Sequence, residues 1–172
     1  YIYIYIYIYY NLMKIYSFIG YLNIKEIYIC NEYDIEINNN NVPVIKIGYT
    51  NNNYNQRKEE AENNMIIKSE YTINGTQKIE RLIHKILKSS KITSQLTLPI
   101  EKKVYNTYYT EYYHNYKNII IIAIRFIMYY LDKYFLKIDD KRLSRHISFM
   151  LDEYLEKKYN MLITKEHPIF IK

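Results

Sequence analysis

The sequence predicts an α+β fold, with a small three-stranded sheet, mixed or antiparallel, flanked by helices and followed by a C-terminal helical hairpin. Three observations predict it. Short apolar runs rich in β-formers recur at Lys25–Cys30, Val42–Tyr49 and Met65–Ile73. Stretches with caps and helical spacing lie at 54–63 and 76–87. From Ile119 onward the pattern is helical only. Three segments are expected: a low-complexity leader over 1–23, a compact unit over 24–116 and a helical hairpin over 117–172.

The chain opens with Tyr and Ile alternating from Tyr1 to Tyr9. Period-two alternation of such residues suits a strand. An alternating T-A tract in DNA would encode the same repeat, and the leader expectation rests on that reading, with Met13 as a candidate true start. The stretch has no basic segment and no small-residue cleavage site, so it does not read as a signal peptide.

Lys25–Cys30 reads as the first strand. The Asn run from Asn38 to Asn41 reads as a polar connection, and Pro43 marks the beginning of a second strand through Tyr49. Thr50 to Asn53 offer caps for a helix from Tyr54 to Asn63. Met65–Ile73 is the third strand. Asn74-Gly75 is a turn, and Thr76 can cap a helix with Ile79, Leu82, Ile83, Ile86 and Leu87 on one face. Residues 97–105 read as irregular, and Thr110 to His114 end the unit.

Ile119 to Leu131 is apolar nearly all round, which predicts burial. It is shorter than the ~20 residues a spanning helix needs. Arg125 at its middle would be costly in lipid, so no membrane partner is expected. Leu143, Ile147, Met150, Leu151, Tyr154 and Leu155 mark a second helix, capped by Asp139 or Asp140. The joint falls near Lys137–Asp140. A homodimer through these helices is the runner-up to docking on the body of the protein.

The 172 residues carry a net charge of +6, a mild bias that suits a polyanionic partner without proving one. The lone cysteine, Cys30, excludes an internal disulfide and fits a reducing, intracellular setting. Cys30, His84, His114, His146 and His167 lack the paired spacing of a zinc site. The 24 tyrosines accompany abundant Ile, Asn and Lys, all with A/T-rich codons. A tyrosine without a motif around it therefore needs no functional explanation.

Some residues do sit in a motif. Ile27-Tyr28 ends one strand, and Lys46-Ile47-Gly48-Tyr49-Thr50 lies on the next. Arg57 lies on the first helix. Glu80 is followed by Ile83-His84 on the second, and Thr110-Glu111-Tyr112 closes the series. In this order, residues 24–114 resemble the GIY-YIG endonuclease superfamily, in the branch typified by the orf-172 domain of bacteriophage T-five. Glu26 stands where the superfamily has its first Gly, Lys46 replaces a Tyr as is normal for the branch, and Tyr112-Tyr113 replace Trp-Phe.

The resemblance implies a DNA partner, a divalent-metal-dependent endonuclease and a viral, phage or mobile-element source. Its setting would be a host cytoplasm or nucleus, or a bacterial cytoplasm. Tyr28, Lys46, Arg57 and Glu80 are the implied catalytic group, with Gly48, Tyr49, His84 and Glu111 positioning substrate. Glu80 would ligate Mg2+ (or Mn2+), a hard cation suited to an oxygen donor. Arg57 would hold non-bridging phosphate oxygens. Tyr28 would orient or deprotonate water, its phenol lowered by a cation such as Lys46. Taken singly, each residue also suits a structural role: Tyr28 in packing, Arg57 on a solvated helix, Glu80 in a surface ion pair. Glu26 favours the alternative of a non-catalytic DNA-binding module of the same fold. A protein-interaction role for the helical hairpin is the third reading.

Overall fold

The computed structural model describes residues 13–22, 42–97, 111–134 and 140–159. Its elements are β1 (Lys14–Leu22), β2 (Val42–Thr50), α1 (Tyr54–Glu62), β3 (Met65–Asn74), α2 (Gln77–Ser89), a 3-10 turn (Thr93–Leu96), β4 (Tyr112–His114), α3 (Ile119–Tyr134) and α4 (Asp140–Tyr159). They fall into two compact units. The first takes the described residues of Tyr1–Glu80 and Leu98–His114; the second takes those of Arg81–Thr97 and Asn115–Lys172.

The first unit is built on a four-stranded sheet in the order β3-β1-β2-β4, antiparallel at every pairing. This corrects the expected three strands. The fourth, β4, has three residues that pair with Val44, Ile45 and Lys46. A strand that short shows no alternation, and all three of its residues are buried, so periodicity could not reveal it.

The central strand lies at Lys14–Leu22, inside the stretch expected to be a leader, while the strand expected at Lys25–Cys30 lies outside the described residues. β1 has neighbours on both edges, and Ile15 through Phe18 are all buried. Burial on both faces removes the polar-out alternation of a half-exposed strand. At Gly20 the pairing with β3 shifts register. A Cβ there would overlap the Ile66 carbonyl and lie 3.1 Å from Ile67 Cα, so the irregular pairing needs glycine.

β2 and β3 lie on opposite sides of β1, so α1 crosses over β1 in joining them. The Thr50 hydroxyl accepts the Asn53 N–H at 3.0 Å and starts this helix. Tyr54 then sets its ring against Tyr16 and Phe18 at 6.2 and 5.8 Å, both edge-on. Its hydroxyl donates to Glu70, which also pairs with Lys58, tying α1 to β3. Thr76 begins α2 as the sequence predicts: its hydroxyl accepts the Ile79 N–H at 3.3 Å and its carbonyl accepts the Glu80 N–H at 3.0 Å.

In the second unit α3 and α4 pack together. Ile120, Ala123, Ile124, Ile127 and Leu131 are buried on α3, and Leu143, Ile147, Leu151 and Leu155 on α4. The apolar surface of α3 is less uniform in its surroundings than the sequence predicts, for Arg125 and Tyr129 are exposed. Asp152 of α4 binds the segment after α2: its carboxylate accepts the Ser90 hydroxyl at 2.6 Å and the Lys91 and Ile92 N–H groups at 2.9 and 3.2 Å. The expected joint near 137–140 lies mostly outside the described residues. Among the described residues, no helix is long and apolar enough to cross a membrane.

Candidate active site

Tyr16 is the residue around which the first unit's polar groups gather. Cross-strand partners in an antiparallel pair share a face. Tyr16 pairs with Gly48, Phe18 with Lys46, and Lys46 with Tyr112. One face of the sheet therefore carries Tyr16, Phe18, Lys46, Gly48 and Tyr112. The Tyr16 ring stacks on Phe18 at 4.5 Å, and its phenol end lies over Gly48. A Cβ at position 48 would overlap the phenol oxygen and Cζ and would reach 2.9 Å from Cε2. The glycine is thus the floor under the phenol.

α1 brings Arg57 to this region, with its guanidinium bonded to Glu60 at 2.9 Å on a half-exposed rim. Lys46 lies 3.7 Å from Glu111 and over the Tyr112 ring at 5.3 Å from the centroid. Glu80 sits in the first turn of α2 and is only 8% exposed. The positive end of the helix dipole favours its carboxylate there.

These charges act on the phenols. Burial pushes the Tyr16 phenol well above its ordinary value, and Glu111 adds to the rise; Arg57 pulls it down, and Glu60 and Glu80 push it up further. Tyr113 is pushed up by burial, then by Glu80 and Glu111. The Arg57 guanidinium is raised chiefly by its bond to Glu60, with Tyr16 and Glu111 contributing. One guanidinium and three carboxylates therefore lie within electrostatic reach of a single phenol.

Of the residues the sequence singles out, Lys46, Gly48, Arg57, Glu80 and Glu111 all belong to this unit. Tyr49 pairs with Ile15 and so points to the opposite face from Tyr16 and Gly48. His84 belongs to the second unit. Tyr28 lies outside the described residues. The cation acting on the buried phenol is Arg57, whereas Lys46 engages Glu111. Sequence reasoning missed Tyr16, Glu60 and Tyr113. The signal for Tyr16 was present, since Ile15-Tyr16 repeats the Ile-Tyr pair of 27–28. It follows closely on the Tyr-Ile tract, whose repeat masks it.

Among the described residues, no group of three or more His, Cys, Asp or Glu side chains could hold a metal ion. Glu60, Glu80 and Glu111 share a neighbourhood but not a cage.

The T5orf172 domain model matches residues 25–124, more than half of the chain. Strand β1 lies upstream of the matched segment. No curated protein matches, and no solved structure matches. The order of strands and helices, the Lys46-Ile47-Gly48 segment and this match lead to one conclusion: the chain belongs to the T5orf172 domain family, which is associated with the GIY-YIG endonuclease superfamily.

Proposed function

We propose that the first unit binds DNA and hydrolyses its phosphodiester bonds at the face around Tyr16, with Arg57 and Glu80 as its partners. The observation that carries this reading is the buried phenol over Gly48, under the joint influence of Arg57, Glu80 and Glu111. Family membership supplies the reaction class.

Hydrolysis forms one P–O bond to water, breaks the P–O bond to the leaving oxygen, and passes a proton from the water to that oxygen overall. The transition state concentrates negative charge on the non-bridging oxygens. Arg57 is half exposed, so its guanidinium can exchange Glu60 for a phosphate, a planar match for two oxygens. Tyr16 is held protonated by burial and by the carboxylates around it. In that state it is a hydrogen-bond donor that positions the water or a phosphate oxygen. For it to accept a proton its value must fall, and Arg57 is the group pulling in that direction. Lys46 lies on the same face, paired with Glu111, and would offer its ammonium to a phosphate of the bound strand.

Three carboxylates around the phenol would repel a phosphodiester. A divalent ion such as Mg2+ (or Mn2+), held by Glu80, would supply the missing positive charge at the reacting phosphate. The test is plasmid nicking with Mg2+ or Mn2+, comparing wild type with Glu80→Ala. Metal-dependent nicking that the variant loses supports the reading. Equal nicking by both removes Glu80 from it. A non-catalytic DNA-binding module is the second reading, favoured by the lack of a multi-ligand metal group among the described residues. Salt-sensitive DNA binding without nicking in either metal would select it.

A further inference from the structure

The second unit carries a groove that the first unit's chemistry does not use. It lies between α3 and α4, measures about 510 Å³, and is lined by Arg125, Phe126, Tyr129, Tyr130, Tyr154 and Lys158 together with an isoleucine. All of those six lie beyond residue 124, where the family match ends. Phe126 stacks on Tyr154 at 4.8 Å and meets Tyr130 at a tilt, 4.6 Å between ring centres. Tyr129 meets Tyr130 edge-on at 5.2 Å yet stays 63% exposed. Lys158 lies over the Tyr154 ring at 5.2 Å and donates to its hydroxyl at 2.8 Å.

A solvent-facing helix surface normally carries charged and short polar side chains. Here it carries a floor of rings and a rim of cations. The charged groups lining the groove are Arg125 and Lys158, with no acid among the lining residues. Rings accept the flat faces of unpaired bases, whatever their identity, and cations beside them meet the phosphates between bases. A second copy of the chain fits less well. Groove against groove, a two-fold contact would bring two cations from each copy together with no acid from either lining to offset them.

We propose that this groove binds unpaired bases of a nucleic-acid strand, with Tyr129 as the exposed stacking surface and Arg125 and Lys158 on the flanking phosphates. The proposal rests on the reading of the chain as a DNA-binding protein and adds to it a second contact, specific for single strands and separate from the Tyr16 face.

The test uses the full chain and fluorescence anisotropy with three labelled probes: an oligothymidylate, an abasic strand of equal length, and a duplex. The expected result is about tenfold tighter binding to the base-bearing strand than to the abasic one, the order of one base–aromatic stack. Tyr129→Ala should abolish that preference while leaving duplex binding and far-UV circular dichroism unchanged. Arg125→Ala should weaken both single strands and flatten their salt dependence. Equal binding to base-bearing and abasic strands, or a preference that survives Tyr129→Ala, overturns the proposal. So does a concentration-dependent dimer that Tyr129→Ala dissociates without altering strand binding, which would assign the groove to a second copy. The two readings fail separately. A chain that never nicks DNA but shows the Tyr129-dependent preference keeps this proposal and loses the nuclease. A chain that nicks duplex without the preference does the reverse.

Discussion

Replacing Gly48 by alanine tests whether the Tyr16 ring lies where the site requires it. The new Cβ would overlap the phenol oxygen and Cζ. Tyr16 is 3% exposed and stacked on Phe18 at 4.5 Å, so shifting the ring would disturb its packing. Overpacking of this kind costs about 1–3 kcal/mol. With a urea dependence of roughly 2 kcal/mol per molar, the unfolding midpoint should fall by about 0.5–1.5 M. Tyr16→Val supplies the control, because its side chain ends well short of the ring atoms that clash. In that background alanine at 48 meets no phenol, and it holds a strand better than glycine by roughly 0.5–1 kcal/mol. The same substitution should therefore destabilise the wild type and slightly stabilise the Tyr16→Val protein. Four urea titrations close the cycle. A Gly48→Ala cost of equal size in both backgrounds would refute the account of this glycine as the floor under Tyr16.

Three further outcomes follow from other contacts. Asp152→Ala should destabilise the chain by about 1.5–3 kcal/mol, read by urea titration, because its carboxylate accepts the Ser90 hydroxyl and two backbone N–H groups; a change below ~0.5 kcal/mol would deny that contact its role. Burial lowers the His114 pKa below 6.5, so the folded state holds the neutral ring and the unfolded state binds the proton first. Stability should fall as pH drops below 6.5 toward the folded value, and His114→Phe should lose less between pH 7.5 and 5.5 than wild type does, as compared by urea midpoints. Arg57→Ala should weaken duplex binding and reduce the slope of log affinity against log salt by about one, the mark of one lost phosphate contact; an unchanged slope would place Arg57 away from the DNA.

The legible parts of the fold were those with strong local patterns. β2, α1, β3 and α2 are announced by Pro43, the Thr50–Asn53 cap candidates, of which Thr50 makes the bond, Asn74-Gly75 and Thr76, and each falls within two residues of expectation. α3 is legible from its nearly continuous apolar run, and α4 from apolar spacing behind an Asp cap candidate. β1 was not, because a central strand buried on both faces has no alternation and this one adjoins a Tyr-Ile tract. β4 was too short to show a pattern and exists only through its pairing with β2. The site divides along the same line. Lys46, Gly48, Arg57 and Glu80 come from elements with clear local signals, and all four lie in the first unit. Tyr16 comes from the strand that was hidden. Glu60 acquires meaning only from its bond to Arg57, and Tyr49 falls on the far face because successive strand residues alternate.

In the proposed reaction the phenol that serves this site is Tyr16 rather than Tyr28. The most direct measurement compares plasmid nicking by Tyr16→Phe and Tyr28→Phe against wild type, in Mg2+ and in Mn2+, with circular dichroism confirming that both variants fold. Each substitution removes one hydroxyl and keeps the ring. Tyr16→Phe should slow nicking about 100-fold or more, the scale of a lost proton-transfer or positioning group, while Tyr28→Phe nicks at the wild-type rate. Nicking abolished by Tyr28→Phe and retained by Tyr16→Phe would contradict that assignment.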